Sequence, residues 1–222
     1  SLAEVERVLA TERQRLAFEV PDLRGLVGRE GVSTIGGVVA ANASGPRKVQ
    51  VGACRDALLG VRFVDGSGSV VKNGGRVMKN VTGYDLVKLL AGSRGVLGVL
   101  SEVSLKVQAM PEATATLVIE GLGDDAGLAA LRKALGSPCD VSGAARHSGR
   151  SLVRVEGLAG SVAYRVGRLR AMIGGEVTVV EGEASAALWR GVRDVAPFAG
   201  KDGEVWRNAT LPTAAAQVGA RL

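Results

Sequence analysis

One glycine-rich stretch, residues 33–45, decides the fold of the first half of the chain. It reads Ser33-Thr34-Ile35-Gly36-Gly37-Val38-Val39-Ala40-Ala41-Asn42-Ala43-Ser44-Gly45, and nearly every side chain in it is small. Gly36 and Gly37 lack Cβ atoms, so the main chain is able to approach a ligand closely and to adopt a positive φ. The pattern predicts a tight turn that opens a short helix, which is stopped at Gly45-Pro46.

Main-chain amides at such a turn form a concavity for anions, and a helix N-terminus adds partial positive charge. The stretch therefore predicts contact with a phosphate-bearing cofactor. The alternative is a tight turn with close helix packing and no ligand, because short Gly/Ala motifs are frequent in proteins.

Composition places the chain among globular proteins. Its 222 residues allow one large domain or two small ones, and 46% of them are apolar, with a mean hydropathy of +0.20. Apolar runs are too short for a transmembrane segment, which needs about 18 residues. The 32 glycines and the aromatic content of 3% favour many tight turns around a core of Val, Leu and Ala.

The charge and the cysteines of the chain limit the kinds of binding partner and the cellular location that are expected. The net charge of +6 and the pI of about 9.7 indicate an arginine-rich surface or the steering of an anionic ligand. Basic residues are dispersed and stacking aromatics are scarce, so no nucleic-acid partner is expected. Cys54 and Cys139 have neither zinc-knuckle nor CxxC spacing, and two free thiols predict a reducing, cytoplasmic location.

Hydrophobic periodicity assigns elements to the first half. Ser1 and Glu4 form a capping box for a helix over 2–13, and Asp85 caps a helix that runs to Leu90 and ends at Gly92. Strands are expected at 16–20, 57–65, 69–72 and 99–107, with a hairpin turn at 65–68 and loops at 23–32 and 49–53.

Pro111 marks the start of a different pattern. Strands are expected at 114–120, 151–156, 176–180 and 204–211, and helices at 124–135, 162–173 and 184–195. The small polar residues 137–150 predict a mobile loop. This alternation predicts an α+β sandwich of ferredoxin-like type, and the expected domains are 1–110 and 111–222.

A second glycine motif, Gly95-Val96-Leu97-Gly98-Val99-Leu100, precedes the long strand. It is expected to bring the main chain close to a ligand, the alternative being a β-bulge or bend. Asn80 and Asp85 are expected to brace turns beside it.

In order, these motifs resemble the FAD-binding domain of the vanillyl-alcohol oxidase/PCMH flavoprotein family, most of all its glycolate oxidase FAD-binding subunits. The resemblance is carried by Thr34-Ile35-Gly36-Gly37, Asn42-Ala43-Ser44-Gly45-Pro46-Arg47, Arg55-Asp56, Asp65-Gly66, Val77-Met78-Lys79-Asn80, Gly83-Tyr84-Asp85, Gly92-Ser93, Gly95-Val96-Leu97-Gly98-Val99, Trp206-Arg207 and Leu211-Pro212. It is strong over residues 1–110 and weak over 111–212.

The resemblance implies FAD as the cofactor. Residues 33–37 and 40–45 would line its pyrophosphate, ribityl and flavin parts, and 95–100 its adenine half. The expected cofactor-binding residues are Ser33, Thr34, Gly36, Gly37, Ala40, Asn42, Ala43, Gly45, Gly95, Leu97, Gly98 and Val99. The resemblance makes 1–110 the second FAD subdomain and 111–222 an incomplete, ferredoxin-like substrate or cap domain. A first FAD subdomain is expected upstream, and this chain alone is expected to bind FAD weakly or not at all.

The resemblance also implies an activity, the oxidation of glycolate or another 2-hydroxy acid at its CH–OH by hydride transfer to flavin. The implied partners are paralogous flavoprotein and iron–sulfur subunits of a glycolate oxidase complex, which would hold a cytoplasmic protein peripherally at the inner membrane. Two alternatives stay open: a non-catalytic flavin-binding or scaffolding subunit, and a stand-alone FAD-dependent 2-hydroxy-acid dehydrogenase.

Catalytic residues cannot be assigned from the sequence. His147 is the one histidine, and its polar loop predicts a solvated side chain. No His, Asp or Glu cluster has metal-ligand spacing, so no metal is expected. Arg47, Arg55 and Arg207 would grip a carboxylate or serve in surface ion pairs, and Tyr84 would bond near the flavin or pack in the core.

Overall fold

The computed structural model describes residues 1–77, 83–215 and 217. These residues form two compact units. The first contains Ser1–Arg24 and Arg29–Met110, and the second contains Gly25–Gly28 and Pro111–Leu222.

The first unit is built on two small antiparallel sheets. Strands β2 (Leu58–Val64), β3 (Val70–Gly74) and β4 (Val99–Leu105) pair in the order β3-β2-β4, and β1 (Gln14–Leu16) pairs with β5 (Val107–Ala109). The helices are α1 (Leu2–Thr11), α3 (Ile35–Ala41), α4 (Lys48–Val51), α5 (Cys54–Ala57) and α6 (Leu86–Leu90). A short helix, α2 (Arg24–Val27), follows β1.

The core of this unit lies between the three-stranded sheet and α3, α5 and α6. Its buried side chains include Phe18, Val39, Leu58 and Leu90. Helix α3 contributes Val38 and Val39 to this core. Because these two buried valines follow Gly36 and Gly37 directly, the glycine-rich end of α3 is held at a fixed position on the core.

Several local predictions for this half are confirmed. Ser1 Oγ accepts the Glu4 amide at 3.2 Å, as expected for an N-cap, and Asp85 Oδ1 accepts the Lys88 amide at 3.1 Å. The β2–β3 hairpin turns at 65–68, where Asp65 Oδ1 accepts the amides of Ser67 and Ser69.

Other predictions for this half are wrong. The strand expected at 16–20 ends at Leu16, because the buried residues after it pack into the core without joining a ladder. The strand expected at 99–107 is two strands, β4 on β2 and β5 on β1. Helix α2 lies within the segment expected to be a loop at 23–32, and α4 overlaps the one expected at 49–53.

The second unit has the strand order β7-β8-β6-β9, all antiparallel. Its elements are β6 (Ala113–Glu120), α7 (Asp124–Leu135), β7 (Gly143–His147), β8 (Arg150–Gly157), α8 (Ala159–Ile173), β9 (Glu176–Glu181), α9 (Gly182–Arg193) and a 3₁₀ turn (Ala196–Phe198). The βαββαβ order with β6 and β8 in the centre confirms the ferredoxin-like prediction.

The two faces of this sheet carry different cores. Helices α7 and α8 cover one face, where Leu169 of α8 shares a core with Leu117 and Val153 of the sheet. On the other face, α9 places Trp189 over the sheet, where its Nε1 donates to Thr116 Oγ1 at 2.8 Å. The Arg154 guanidinium lies 4.5 Å from the centre of the indole ring, so this second core has a polar column at its centre.

Two predictions for this half are wrong. Residues 137–150 are not a loop throughout, because Gly143–His147 form β7 and pair with β8. The small residues there are needed for packing: a Cβ on Gly143 would lie 2.7 Å from the Trp189 ring. Residues 204–211 form no strand and are exposed.

Candidate functional site

The two glycine motifs predicted to share a ligand lie next to each other in the first unit. The Gly92 amide donates to Val39 O at 3.1 Å and the Arg94 amide to Ala40 O at 2.8 Å, so the turn after α6 closes the end of α3. At the other end of α3, a Cβ on Gly36 would lie 4.0 Å from Leu100 O, at the start of β4. One surface of a few residues therefore carries both motifs.

The beginning of α3 leaves main-chain donors open. Thr34 is the N-cap, and its Oγ1 accepts the Gly37 amide at 3.1 Å. In the described part of the chain, the amides of Ile35 and Gly36 have no acceptor, as is usual for a first helical turn. The exposed Ser33 and Thr34 lead into this turn.

The tight turn predicted at Gly36 and Gly37 is wrong, and neither residue uses the positive φ that glycine allows. Both residues lie inside α3, and the helix starts before them at Ile35. Their missing side chains are the relevant property here. The helix ends at Ala41 rather than at Gly45-Pro46, because Asn42 adopts the left-handed conformation with φ of 48°.

The segment after α3 is held mainly by its own side chains, which accept main-chain amides from elsewhere in the first unit. Asn42 Oδ1 accepts the Arg55 amide at 2.9 Å, and Ser44 Oγ accepts the Cys54 amide at 2.8 Å. Glu19 holds the next turn, since its carbonyl accepts the Gly45 amide at 2.8 Å. The half-buried Ala40, Ala43 and Gly45 lie along this braced segment.

The two glycines of the second motif have different roles. Gly95 has φ of 81°, and a Cβ there would meet nothing within 4 Å. Gly98 has φ of 147°, and a Cβ there would lie 2.5 Å from Val64 O. The absence of a side chain at Gly98 is therefore required by the pairing of β4 with β2, and needs no ligand to explain it.

The same surface exposes large apolar side chains. Val32, Val96, Leu97 and Val99 are 76%, 82%, 42% and 71% exposed. Isolated apolar side chains are common on protein surfaces, but these four, which we call the apolar patch, all lie in or next to the two glycine-rich segments.

Ser93 is a residue that the sequence analysis did not assign to the site. Its Oγ is buried and, among the described residues, has no hydrogen-bond partner. Buried hydroxyls are nearly always paired, so the unpaired Ser93 Oγ, directly before Gly95 in the chain, makes this serine an additional candidate for the site. The signal in the sequence was its place in Gly92-Ser93, directly before the second motif.

The arginines and the tyrosine that were candidates for ligand contact are not part of this surface. Arg47 is 6% exposed and its Nη2 lies 3.5 Å from Glu19 Oε1, so it serves a buried ion pair rather than a carboxylate ligand. Arg55 and Arg207 are exposed, and Tyr84 is 90% exposed rather than packed in the core. Met78, Lys79, Asn80, Val81 and Thr82 lie outside the described residues.

His147 is not in a loop. It is the last residue of β7, and its Nε2 lies 2.9 Å from Ser148 Oγ. Among residues 1–77, 83–215 and 217, three or more His, Cys, Asp or Glu never group as metal ligands would. Burial raises the pKa of the Cys54 thiol to about 12, with the Asp56 carboxylate adding to the shift. The candidate site on the first unit therefore consists of main chain, small residues, hydroxyls and exposed apolar side chains.

Comparison with known proteins shows which family part of the first unit resembles. Residues 4–74 match the family described as "FAD binding domain". This confirms the predicted resemblance to FAD-linked oxidases and supports FAD as the cofactor. The matched residues include α3 and the braced segment after it.

The particular relatives are 2-hydroxy-acid enzymes by name. The chain is 36% identical over 213 residues to "Glycolate oxidase subunit GlcE" of Escherichia coli, which covers 96% of this chain and 56% of that protein. It is 41% identical over 90 residues to "D-lactate dehydrogenase" of Anaerostipes hadrus, covering 40% of this chain and 19% of that protein. The chain thus spans little more than half the length of the longest-matching of these two relatives.

A solved structure with the same fold is "alkyldihydroxyacetonephosphate synthase". The TM-score is 0.65 at 17% identity, over 88% of this chain and 42% of that one. This confirms the predicted fold class, a PCMH-type FAD-binding subdomain followed by an α+β sandwich. Within the described residues, no helix is both long enough and apolar enough to cross a bilayer.

Proposed function

We propose that the first unit binds FAD with the surface formed by residues 33–45 and 92–100. The observation that carries the proposal is the buried Ser93 hydroxyl without a partner at the end of α3, together with the open amides at the start of this helix. A nucleotide supplies both acceptors for these donors and an apolar ring for the exposed valines. The alternative of a turn with no ligand leaves the hydroxyl, the amides and the apolar patch without a role.

The residues proposed to hold FAD are those expected from the sequence, together with Ser93. Ser33, Thr34, Gly36, Gly37, Ala40, Asn42, Ala43 and Gly45 form the first segment, and Gly95, Leu97, Gly98 and Val99 the second. The Gly36 amide, with that of the neighbouring Ile35, is the donor for phosphate oxygens, and Leu97 and Val99 provide apolar contact. Asn42 and Gly98 shape the segments, because their own interactions are with the protein.

We further propose that the protein containing this chain oxidises a 2-hydroxy acid such as glycolate at its CH–OH. The support is the similarity to relatives named for glycolate and D-lactate. FAD supplies hydride acceptance when it is bound. This chain's own part is to position FAD and to exclude water with the apolar patch. No side chain of the described residues is assigned as the base.

The name of the longer relative is that of a subunit. We propose on that ground that the chain acts within a glycolate oxidase complex, with paralogous flavoprotein and iron–sulfur subunits. A stand-alone 2-hydroxy-acid dehydrogenase and a non-catalytic flavin-binding or scaffolding subunit are the alternatives. We propose a cytoplasmic location, peripheral to the inner membrane through these partners, which the two unpaired buried cysteines support.

Flavin binding is tested on the chain itself by amide NMR with millimolar FAD, because weak binding is expected. The amides of 33–45 and 92–100 are expected to shift. Gly36→Leu, whose Cβ would come no nearer than 4.0 Å to Leu100 O, is expected to weaken the interaction by about tenfold or more, and Ser93→Ala by less. Gly66→Leu in the β2–β3 turn, where a Cβ would meet nothing within 4 Å, is the control. Shifts absent from both segments, or equal affinities in all variants, contradict the proposal.

Activity is tested by flavin bleaching with glycolate or D-lactate, first in the chain with FAD and then with co-expressed candidate subunits. Bleaching by the chain alone supports the stand-alone enzyme. Bleaching that needs partners supports the subunit role. If neither acid bleaches the flavin in any combination, the proposed substrate class is wrong, whatever the NMR titration shows for FAD.

A further inference from the structure

The second unit has a groove that the proposed function does not use. It lies on the sheet face opposite α7 and α8 and has a volume of about 640 Å³. We call it the α9 groove. Its floor is Ala145 and Leu152, one wall is Leu188 and Val192 of α9, and Phe198 stands at its rim. Small-molecule sites typically have volumes of about 300–1,000 Å³ and apolar linings.

The groove exists because α9 covers only part of this sheet face. Trp189 fills the space over Thr116 and Gly143. Toward the β7–β8 turn, α9 presents Ala187 and Gly191, which are too small to reach the sheet. A Cβ on Gly191 would meet nothing within 4 Å.

One end of the groove is basic. His147 and Arg150 are partners across the β7–β8 ladder, and both line the groove with Ala145 and Leu152. The Arg150 guanidinium has no acidic or hydrogen-bonding partner among the described residues. The other arginine that lines the groove, Arg146, is paired, because its Nη2 donates to Asp124 Oδ1 at 2.8 Å. None of the described residues that line the groove is acidic.

We propose that the α9 groove binds an amphiphilic monocarboxylate, with its aliphatic chain on the apolar floor and its carboxylate on Arg150. A neutral ligand would leave the arginine unpaired, and a cationic one would be repelled by it. A carboxylate pairs with a guanidinium through charge-assisted hydrogen bonds. The site needs no flavin, so the proposal stands independently of the proposed function.

The probe is decanoate, used below its micelle concentration, with the chain as it is and binding followed by calorimetry and amide NMR. Gly191→Leu fills the groove from a helical position with free space, so it is expected to abolish binding without unfolding the unit. The matched control is Gly167→Leu on α8, an exposed helical glycine that also has nothing within 4 Å of its Cβ position. Arg150→Gln is expected to weaken decanoate by about tenfold while leaving 1-decanol unchanged.

The expected result is binding of decanoate to the chain and to Gly167→Leu, with amide shifts at residues 145–152 and 184–198. Equal binding of decanoate and decylammonium would overturn the assignment of a carboxylate. Equal binding of decanoate to Gly191→Leu would overturn the assignment of the groove. If decanoate does not bind and the chain instead self-associates in a way that Gly191→Leu abolishes, the α9 groove is a protein-contact surface. This result would also overturn the proposal.

Discussion

Replacing Gly98 by alanine tests whether this glycine serves the sheet. Its φ of 147° is strained for any residue with a side chain, and the new Cβ would lie 2.5 Å from Val64 O and 2.9 Å from the Phe63 ring. Strained backbone costs about 1–3 kcal/mol and overpacking about 1–3 kcal/mol. Because the nearest atom is main chain inside β2, relief requires the strands to separate, and we expect a loss of about 3 kcal/mol or more.

Gly95→Ala is the matched control. Its φ of 81° is also positive, but a Cβ there meets nothing within 4 Å, so only the conformational cost of about 1–2 kcal/mol applies. Amide hydrogen exchange of β2 and β4 reports the opening of this sheet directly. Gly98→Ala should accelerate exchange there about tenfold or more beyond Gly95→Ala. Equal exchange rates in the two variants would refute the steric reasoning.

Three further predictions concern stability and reactivity. Glu19→Gln should lower the unfolding free energy by about 3 kcal/mol, because its ion pair with Arg47 is buried. Glu102→Gln breaks an exposed ion pair of the same 3.5 Å length, with Arg62, and should cost under about 1 kcal/mol. Equal urea midpoints for the two variants would contradict this. Trp189→Phe removes the bond to Thr116 and part of a buried ring, and should cost about 2–3 kcal/mol in thermal unfolding; a change under about 0.5 kcal/mol would show that the polar column carries no stability. With a pKa of about 12, Cys54 stays a thiol at pH 8, so Ellman's reagent should label it slowly in the native state and rapidly in urea; rapid native labelling would contradict the burial.

The parts of the fold that sequence predicted well are those where local chemistry and burial agree. The hairpin at Asp65 and the cap at Asp85 depend on side chains bonding nearby amides, so the residue types reveal them. The ferredoxin-like unit followed from long amphipathic segments of regular spacing. Predictions were wrong where an apolar run reflects burial without pairing, as after Leu16, or where packing explains small residues, as at Gly143 under Trp189.

The sequence predicted where the candidate site lies better than it predicted what the individual residues of the site do. The two glycine motifs were expected to share a ligand, and the structure places them side by side through the Gly92 and Arg94 amides. Sequence did not reveal that Gly36 is helical or that Gly98 approaches Val64. A glycine in the sequence does not show whether a ligand or another part of the protein occupies the space where a side chain would be. Ser93 was missed because its importance arises from being buried without a partner.

The close approach of Gly98 to Val64 has a consequence for reading such motifs in other chains. Any protein that pairs these two strands in the same way needs a glycine at this position, even if it no longer binds a nucleotide. A motif search that scores this position as cofactor contact will therefore report flavoproteins where only the scaffold persists. Ser93 and the open face at Gly36 discriminate better, since the scaffold itself makes no demand on either.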